Sequence, residues 1–176
     1  HYELSPIRAA HLLGQAHHES GGFKRVKESL YYSTPERIQA VWPSRFETIQ
    51  DAEPYIKNPE KLANKVYNGR MGNRIGTNDG YFFRGRGFLQ LTGADNVEAF
   101  AADMKLPNVT DNPDMLADEY AFETALWFFK KNGLFKLADE GVSSETIRKI
   151  TRRINGGHHG LKDRIKQTTK IHAWLT

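Results

Sequence analysis

The stretch AHHESGGF, residues 16–23, closes an apolar, helix-like run on a carboxylate. Ala9, Leu12, Leu13 and Ala16 recur at i, i+3, i+4 and i+7 behind Pro6, the pattern of a helix with one buried face. Glu19 lies seven residues beyond Leu12, within about 20° of the same helical direction. It therefore points along the apolar face. A carboxyl there resists ionisation, and a carboxyl that keeps its proton at neutral pH can act as a general acid. Gly21 and Gly22 then let the chain turn. Glu28 follows nine residues on, beside Lys27 and polar groups, so an acid and a base are available in principle. Spacing alone fits equally well a solvated helix end at Glu19 and an ordinary surface charge at Glu28.

The chain has 176 residues, enough for one domain with a real core, and reads as a single catalytic domain over 1–176. It begins at His1, not Met, so it reads as trimmed at the N-terminus. No run approaches the roughly 20 apolar residues of a membrane span, so no integral membrane segment is expected. Cysteine is absent, which excludes disulfides and thiolate-bound zinc and suits a reducing cytosol. The formal net charge is +4, a mild attraction toward polyanions. Simple solubility explains that charge unless the positive residues cluster.

Helical patterns dominate, and no internal repeat interrupts them. STPERIQAVW opens with Ser33, Pro35 and Glu36, a capping box with proline in the first turn. NPEKLANKVY repeats the device with Asn58 and Pro59. YAFETALWFFKKNG is apolar nearly all round and reads as a buried central helix stopped at Asn132-Gly133. Ile147, Ile150 and Ile154 mark another helix, ended by Asn155-Gly156-Gly157. Leu161, Ile165, Thr168, His172 and Leu175 mark the last. The exception is 68–93, with seven glycines and no helical period. Its β-prone GYFF, flanked by turn residues, predicts a short strand or hairpin in a loop-rich insert.

Two other chemistries fit poorly. His17, His18 and Glu19 are adjacent and fan out around a helix, H-E-x-x-H is absent, and His158-His159 are likewise adjacent, so no metal site is expected. These histidines read as structural or cleft-lining. FRGRGF lacks the third glycine of G-x-G-x-x-G, because position 90 is Gln, and no phosphate loop is present. Neither nucleic acid nor a cofactor is expected.

Four stretches in order, AHHESGGF with Glu19, Glu28 nine residues on, YFFRGRGFLQLTG and NGGHHGLKDR, resemble the family 19 glycoside hydrolases. These comprise chitinases and related phage endolysins of the lysozyme superfamily. The resemblance runs from the first helix to about Arg164. It implies a mainly α, lysozyme-like domain of two lobes with a substrate cleft and a small β-hairpin or loop insert. It also implies that Glu19 is the general acid and Glu28 the base of an inverting reaction, their carboxyls about 6.5–9.5 Å apart. Thr92 matches a hydroxyl that helps hold the attacking water. Gln90, Asn96 and Asn155 match sugar-contacting residues, Arg164 an arginine near the catalytic carboxylates, and His18 falls among the cleft residues. Residue by residue a plainer reading stands beside each: Gln90 as a turn residue, Thr92 as a cap for a helix from Asp95, Asn155 as a helix stop, Arg164 as an ion-pair partner of Asp163 or Glu119. The chain departs from the plant chitinases in lacking cysteines, in its short acid-to-base loop, in His158-His159 after NGG, and in Asp95 where those enzymes place a sugar-contacting aromatic. These features resemble the bacterial and phage branch.

The expected function is therefore cleavage of the β-1,4 glycan of peptidoglycan by a monomeric phage or prophage lysin. Such a protein is made in the host cytoplasm and acts on the wall in the periplasm. A bacterial chitinase, secreted, uses the same machinery. A non-catalytic glycan-binding relative would be expected to lack one carboxylate, and a lytic transglycosylase needs only one; both are present here.

Overall fold

The computed structural model describes residues 4–176, and they are mainly α-helical. The chain forms two compact units, neither continuous in sequence. One takes the chain up to Val26 with Gly87–Gln90 and Ala117–Thr176; the other takes Lys27–Arg86 and Leu91–Leu116.

The first unit is built on α1 (Pro6–Glu19), α9 (Ala121–Lys131), α10 (Leu134–Ala138), α11 (Ser144–Asn155) and α12 (Leu161–Leu175). Each expected boundary has a local cause. The Ser5 hydroxyl accepts from the Arg8 amide, and Pro6 needs no partner for a missing N–H. Asn132 ends α9, and Gly133 at φ +66° turns the chain directly into α10. Gly156 at φ +73° caps α11. Leu12, Ala16, Ala125, Leu126, Phe129, Leu134, Ala138 and Ile150 form its core. The α1 helix packs most extensively on α12. Gly14 makes that approach possible, since an added Cβ would overlap the Thr168 side chain and stand 2.9 Å from its backbone.

The second unit carries α2 (Pro35–Val41), α3 (Ile49–Ala52), α4 (Pro59–Tyr67), α5 (Asp79–Phe82), α6 (Ala94–Met104) and α7 (Asn108–Asp111); α8 (Met115–Asp118) spans the boundary between the two. Leu30, Ile38, Phe46, Ala52, Leu62, Ala63 and Val66 form a core here. Asn58 caps α4 by accepting from the Lys61 amide, as its sequence predicts. The capping box at Ser33 does not form. Pro35 is the first helical residue, so Thr34 takes the cap position, one residue later than the box requires, and makes no side-chain cap bond.

GYFF is not a strand. Residues 79–82 form the single turn α5, and among the described residues β-pairing is limited to the isolated bridges Lys27↔Arg86 and Arg86↔Leu91. The reason is tertiary. The amides of Gly80 and Tyr81 donate to the side-chain oxygens of Asn68 (2.8 Å) and Asn64 (2.9 Å), which takes them from any ladder. Gly80 also backs onto α4, where an added Cβ would lie 2.6 Å from the Ala63 carbonyl. The glycine-rich segment is likewise pinned by side chains. Asn73 accepts from the Ala94 amide at 3.0 Å and donates to the Tyr67 carbonyl at 3.1 Å. Asp79 accepts from Arg74 Nε at 2.8 Å, Nη2 at 3.0 Å and the Arg74 amide at 2.9 Å.

Those Arg74 hydrogen bonds, led by the guanidinium, hold the Asp79 carboxyl down to about 2 from its usual 3.8. A depressed carboxyl contributes stability that is complete above its ordinary value and lost as pH falls through the folded one. Arg74 itself stands in solvent, which screens the pair and keeps the contribution small. Asp79→Asn should therefore unfold at lower urea concentration than the parent at pH 6. The gap should narrow between about pH 4 and pH 2. A gap that stays constant through that window would remove the ion pair as its cause.

Candidate active site

Five of the eight candidate residues, His18, Glu19, Gln90, Asn155 and Arg164, belong to the first unit; Glu28, Thr92 and Asn96 belong to the second.

In the first unit Glu19 is the last residue of α1, and its side chain is 25% exposed. Helical direction alone predicts an apolar neighbour for it. Its neighbour is instead a guanidinium: Arg164 Nη2 donates to Glu19 Oε1 at 2.5 Å. The physical reason lies four residues back. Gln15, not an apolar residue, shares the Glu19 face of α1 one turn below and is fully buried. Arg164, itself 1% exposed, donates Nη1 to Gln15 Oε1 at 2.6 Å and Nε to the His159 carbonyl at 3.0 Å. Gln15 passes the chain on to Thr151 Oγ1 at 3.1 Å, and Thr151 donates to the Ile147 carbonyl at 2.8 Å. One buried polar network thus fastens α1 to α11 and α12 and fixes Glu19 at its open end.

The loop after α11 closes on the same group. Asn155 Oδ1 accepts from the Gly157 amide at 2.9 Å, and Asn155 Nδ2 donates to the His159 carbonyl that Arg164 also holds. Gly160 packs directly on the His18 ring, where no Cβ would fit. His18 Nδ1 meets Asp163 Oδ2 at 2.7 Å, and that contact, aided by Gln167, holds the Asp163 carboxyl below its usual range. Asp163 is therefore the partner of His18, while Arg164 turns to Glu19. Ser20, fully buried, donates to the Ala16 carbonyl and accepts from the Phe23 amide, which anchors the turn through Gly21 and Gly22. Gln90, at φ +53°, donates Nε2 to the Gly87 carbonyl at 2.9 Å and so closes a turn.

In the second unit Glu28 is gripped at both oxygens. Oε1 accepts from the Tyr67 hydroxyl at 2.7 Å and Oε2 from the Gly85 amide at 3.1 Å. The Glu28 amide donates back to the Gly85 carbonyl at 2.9 Å. Burial, reinforced by the Glu28 charge and hydrogen bond, pushes the Tyr67 phenol far above its ordinary value, so it stays protonated and donates. Arg86, 2% exposed, anchors the adjoining backbone: it donates to Asp114 at 2.6 Å and to the carbonyls of Phe82 and Arg84. Thr92 does not cap the following helix, since α6 begins at Ala94 with Gly93 as its cap. Asn96 donates Nδ2 to the Thr92 carbonyl at 2.8 Å, which links these two candidates.

The sequence reading missed Tyr67, Gln15 and Thr151. Gln15 carried a signal: a polar residue one turn before Glu19 on a buried face. Tyr67 carried none, because it reaches Glu28 across 39 residues of chain. Among the described residues no three His, Cys, Asp or Glu side chains group in a way that could hold a metal ion.

No family model matches the chain. A glycosyl hydrolase family 19 domain-containing protein of Haemophilus influenzae (strain KW20/Rd) is 36% identical over 168 residues, covering 93% of this chain and 78% of that protein. The chain belongs to glycosyl hydrolase family 19. Its fold matches the crystal structure of chitinase C from Streptomyces griseus HUT6037 at a TM-score of 0.58 and 20% identity. The match covers 97% of this chain but 60% of the solved chain, so this family 19 protein spans about three-fifths of that chitinase's length. Among the described residues no helix is long and apolar enough to cross a membrane.

The network around Arg164 makes a test of stability. Arg164→Lys keeps a positive charge but cannot serve three acceptors in fixed directions. It leaves the buried Gln15 oxygen without a donor, a loss of about 1–3 kcal/mol. Urea unfolding should show that loss. Arg152→Lys, at an exposed position of α11, should stay within about 0.5 kcal/mol of the parent.

Proposed function

We propose that this family 19 hydrolase cuts the β-1,4 glycan of peptidoglycan by inversion, with Glu19 as acid and Glu28 as base. The observation that carries the assignment of roles is the different occupation of the two carboxyls. Both Glu28 oxygens accept hydrogen bonds, one from the Tyr67 hydroxyl and one from the Gly85 amide. That is the stance of a carboxylate, as a base requires. Glu19 is held at Oε1 alone, and Oε2 makes no hydrogen bond among the described residues. Oε2 is the oxygen free to carry a proton to the departing sugar oxygen. In this reading the Thr92 hydroxyl steadies the water that Glu28 activates, Gln90, Asn96, Asn155 and His18 contact the glycan, and Arg164 orients Glu19.

The choice of peptidoglycan over chitin rests on charge and on a missing aromatic. The chain carries a net +4, and exposed Asp95 stands where a stacking ring would favour chitin. The lack of cysteine suits synthesis in a host cytoplasm before action on the wall, as a phage or prophage lysin requires.

Glu19→Gln should fold as the parent does and lose about 10²–10⁴-fold in hydrolysis, because an amide cannot donate the proton that a sugar leaving group needs. A folded variant with near-normal turnover would falsify the acid assignment. A side-by-side digest of purified peptidoglycan and chitin oligomers, followed by proton NMR of fresh products, tests substrate and mechanism together. Peptidoglycan should be cut faster, by a margin that shrinks with salt, and the new ends should be α-anomers. Retained β-anomers would make Glu28 a nucleophile, and chitin cleavage with the wall untouched would make the enzyme a chitinase.

A further inference from the structure

Part of the positive charge is gathered on one helix of the first unit. The α11 helix carries Arg148, Lys149, Arg152 and Arg153 against the single carboxylate of Glu145, a balance of +3 within a chain of net +4. Its opposite face is buried through Thr146, Ile147, Ile150 and Thr151, so the cations share the solvent side. Two of them are spent. Arg148 is held by Glu145 at 2.9 and 3.0 Å, and Lys149 by Glu140 at 2.8 Å. Arg152 and Arg153 have no carboxylate partner among the described residues, and both are exposed.

A charge run on a helix is usually a solvated face, and two arginines in a last turn also favour the helix dipole. Neither explains the shape. Lys149, Arg152 and Arg153 line a groove of about 470 Å³ whose other walls are Leu137 and Gly156. A bare phosphate or a single carboxylate is far smaller than that space, and it would leave Leu137 idle. A short peptide segment, with aliphatic side chains beside Leu137 and carboxylates on the guanidinium forks, fits both the volume and the charge. The groove also adjoins the candidate site within the same unit. Gly156 follows Asn155, whose amide shares the His159 carbonyl with Arg164, the holder of Glu19.

We propose that this groove binds the carboxylate-bearing peptide stems of peptidoglycan, and so adds recognition of the stem to cleavage of the glycan. The inference rests on the peptidoglycan reading above. The stems bring the anion to Arg152 and Arg153, while Lys149, held by Glu140, shapes the wall.

The test is co-sedimentation of the full chain carrying Glu19→Gln with three insoluble ligands: intact peptidoglycan, peptidoglycan stripped of stems by an amidase, and chitin. Adding Arg152→Ser and Arg153→Ser should weaken binding to intact peptidoglycan about ten-fold at low salt, with less effect as salt rises. The added changes should make no difference on stripped strands or chitin. A control that removes two exposed cations elsewhere, Lys162→Ser with Lys166→Ser, should bind intact peptidoglycan as the parent does. An equal loss on stripped strands, an equal loss in the control, or no loss at all would overturn the proposal. Competition by inorganic phosphate beyond that of chloride at equal ionic strength would do the same, since it would mark a phosphate site. Hydrolysis of peptidoglycan by the parent enzyme, measured in parallel, judges the substrate reading separately. Hydrolysis with unchanged sedimentation of the double variant removes the groove alone. Absence of hydrolysis removes the substrate reading, while the stem-dependent difference in binding still decides the groove.

Discussion

A guanidinium taken out of water must spend its donors on something, and Arg164 spends them in three directions. It is 1% exposed and serves a carboxylate, a side-chain amide and a main-chain carbonyl, at 2.5, 2.6 and 3.0 Å. Desolvating such a charge costs several kcal/mol unless geometry and hydrogen bonding are good. The first unit is arranged to meet that demand. The α1 helix approaches α12 closely enough that only glycine fits at position 14. The fully buried Gln15 then reaches both Arg164 and Thr151. The loop after α11 turns back to present the His159 carbonyl. The position of Glu19 follows from this satisfied charge and not from its own burial.

The second unit solves a similar problem with different parts. Its extended segments make only two isolated bridges, and Arg86 is a partner in both. One bridging residue cannot make a sheet, so the ladder contributes little order by itself. The Arg86 side chain supplies the rest by tying itself to Asp114 and to the carbonyls of Phe82 and Arg84. Gly85 is held between those anchored residues, and Gly85 both donates to the Glu28 carboxylate and accepts from the Glu28 amide. The geometry at Glu28 is thereby inherited from the buried arginine next door. Tyr67, at the end of α4, closes the remaining oxygen.

This division explains what was legible in the sequence. The helices α1, α4, α9, α11 and α12 span nine or more residues each, enough for a repeated apolar face and a readable cap or stop. The four-residue turns α3, α5, α7 and α8 hold too few residues to show a period. GYFF misled for a related reason. Its local preference is for strand, but Asn64 and Asn68 take the amides that a strand would pair. Such tertiary capture leaves no mark in a short window. At the candidate site, motif order alone singled out Glu19, Glu28 and Arg164, and the structure adds that Arg164 meets Glu19. Helical direction says where the Glu19 side chain points, not what another helix brings to meet it, and Arg164 was named from the motif instead. Tyr67 lay beyond reach for the same reason.

Arginine shows why formal charge is a poor guide to what a surface offers. Arg164 and Arg86 count fully toward the net +4, yet their donors are turned inward on fixed acceptors and neither is open to an approaching anion. Arg148 is held by Glu145 and Arg8 by Asp139. Exposed pairs of this kind contribute little to stability, but they neutralise one another at short range. Arg152 and Arg153 of α11 differ from these: the helix buries its opposite face and leaves both exposed, with no carboxylate partner among the described residues. The same property makes arginine suited to both tasks. Its planar fork can satisfy several oxygens at once, whether they belong to the protein's own interior or to a ligand arriving from outside. Which task a given arginine performs is decided by whether the fold has already filled the fork.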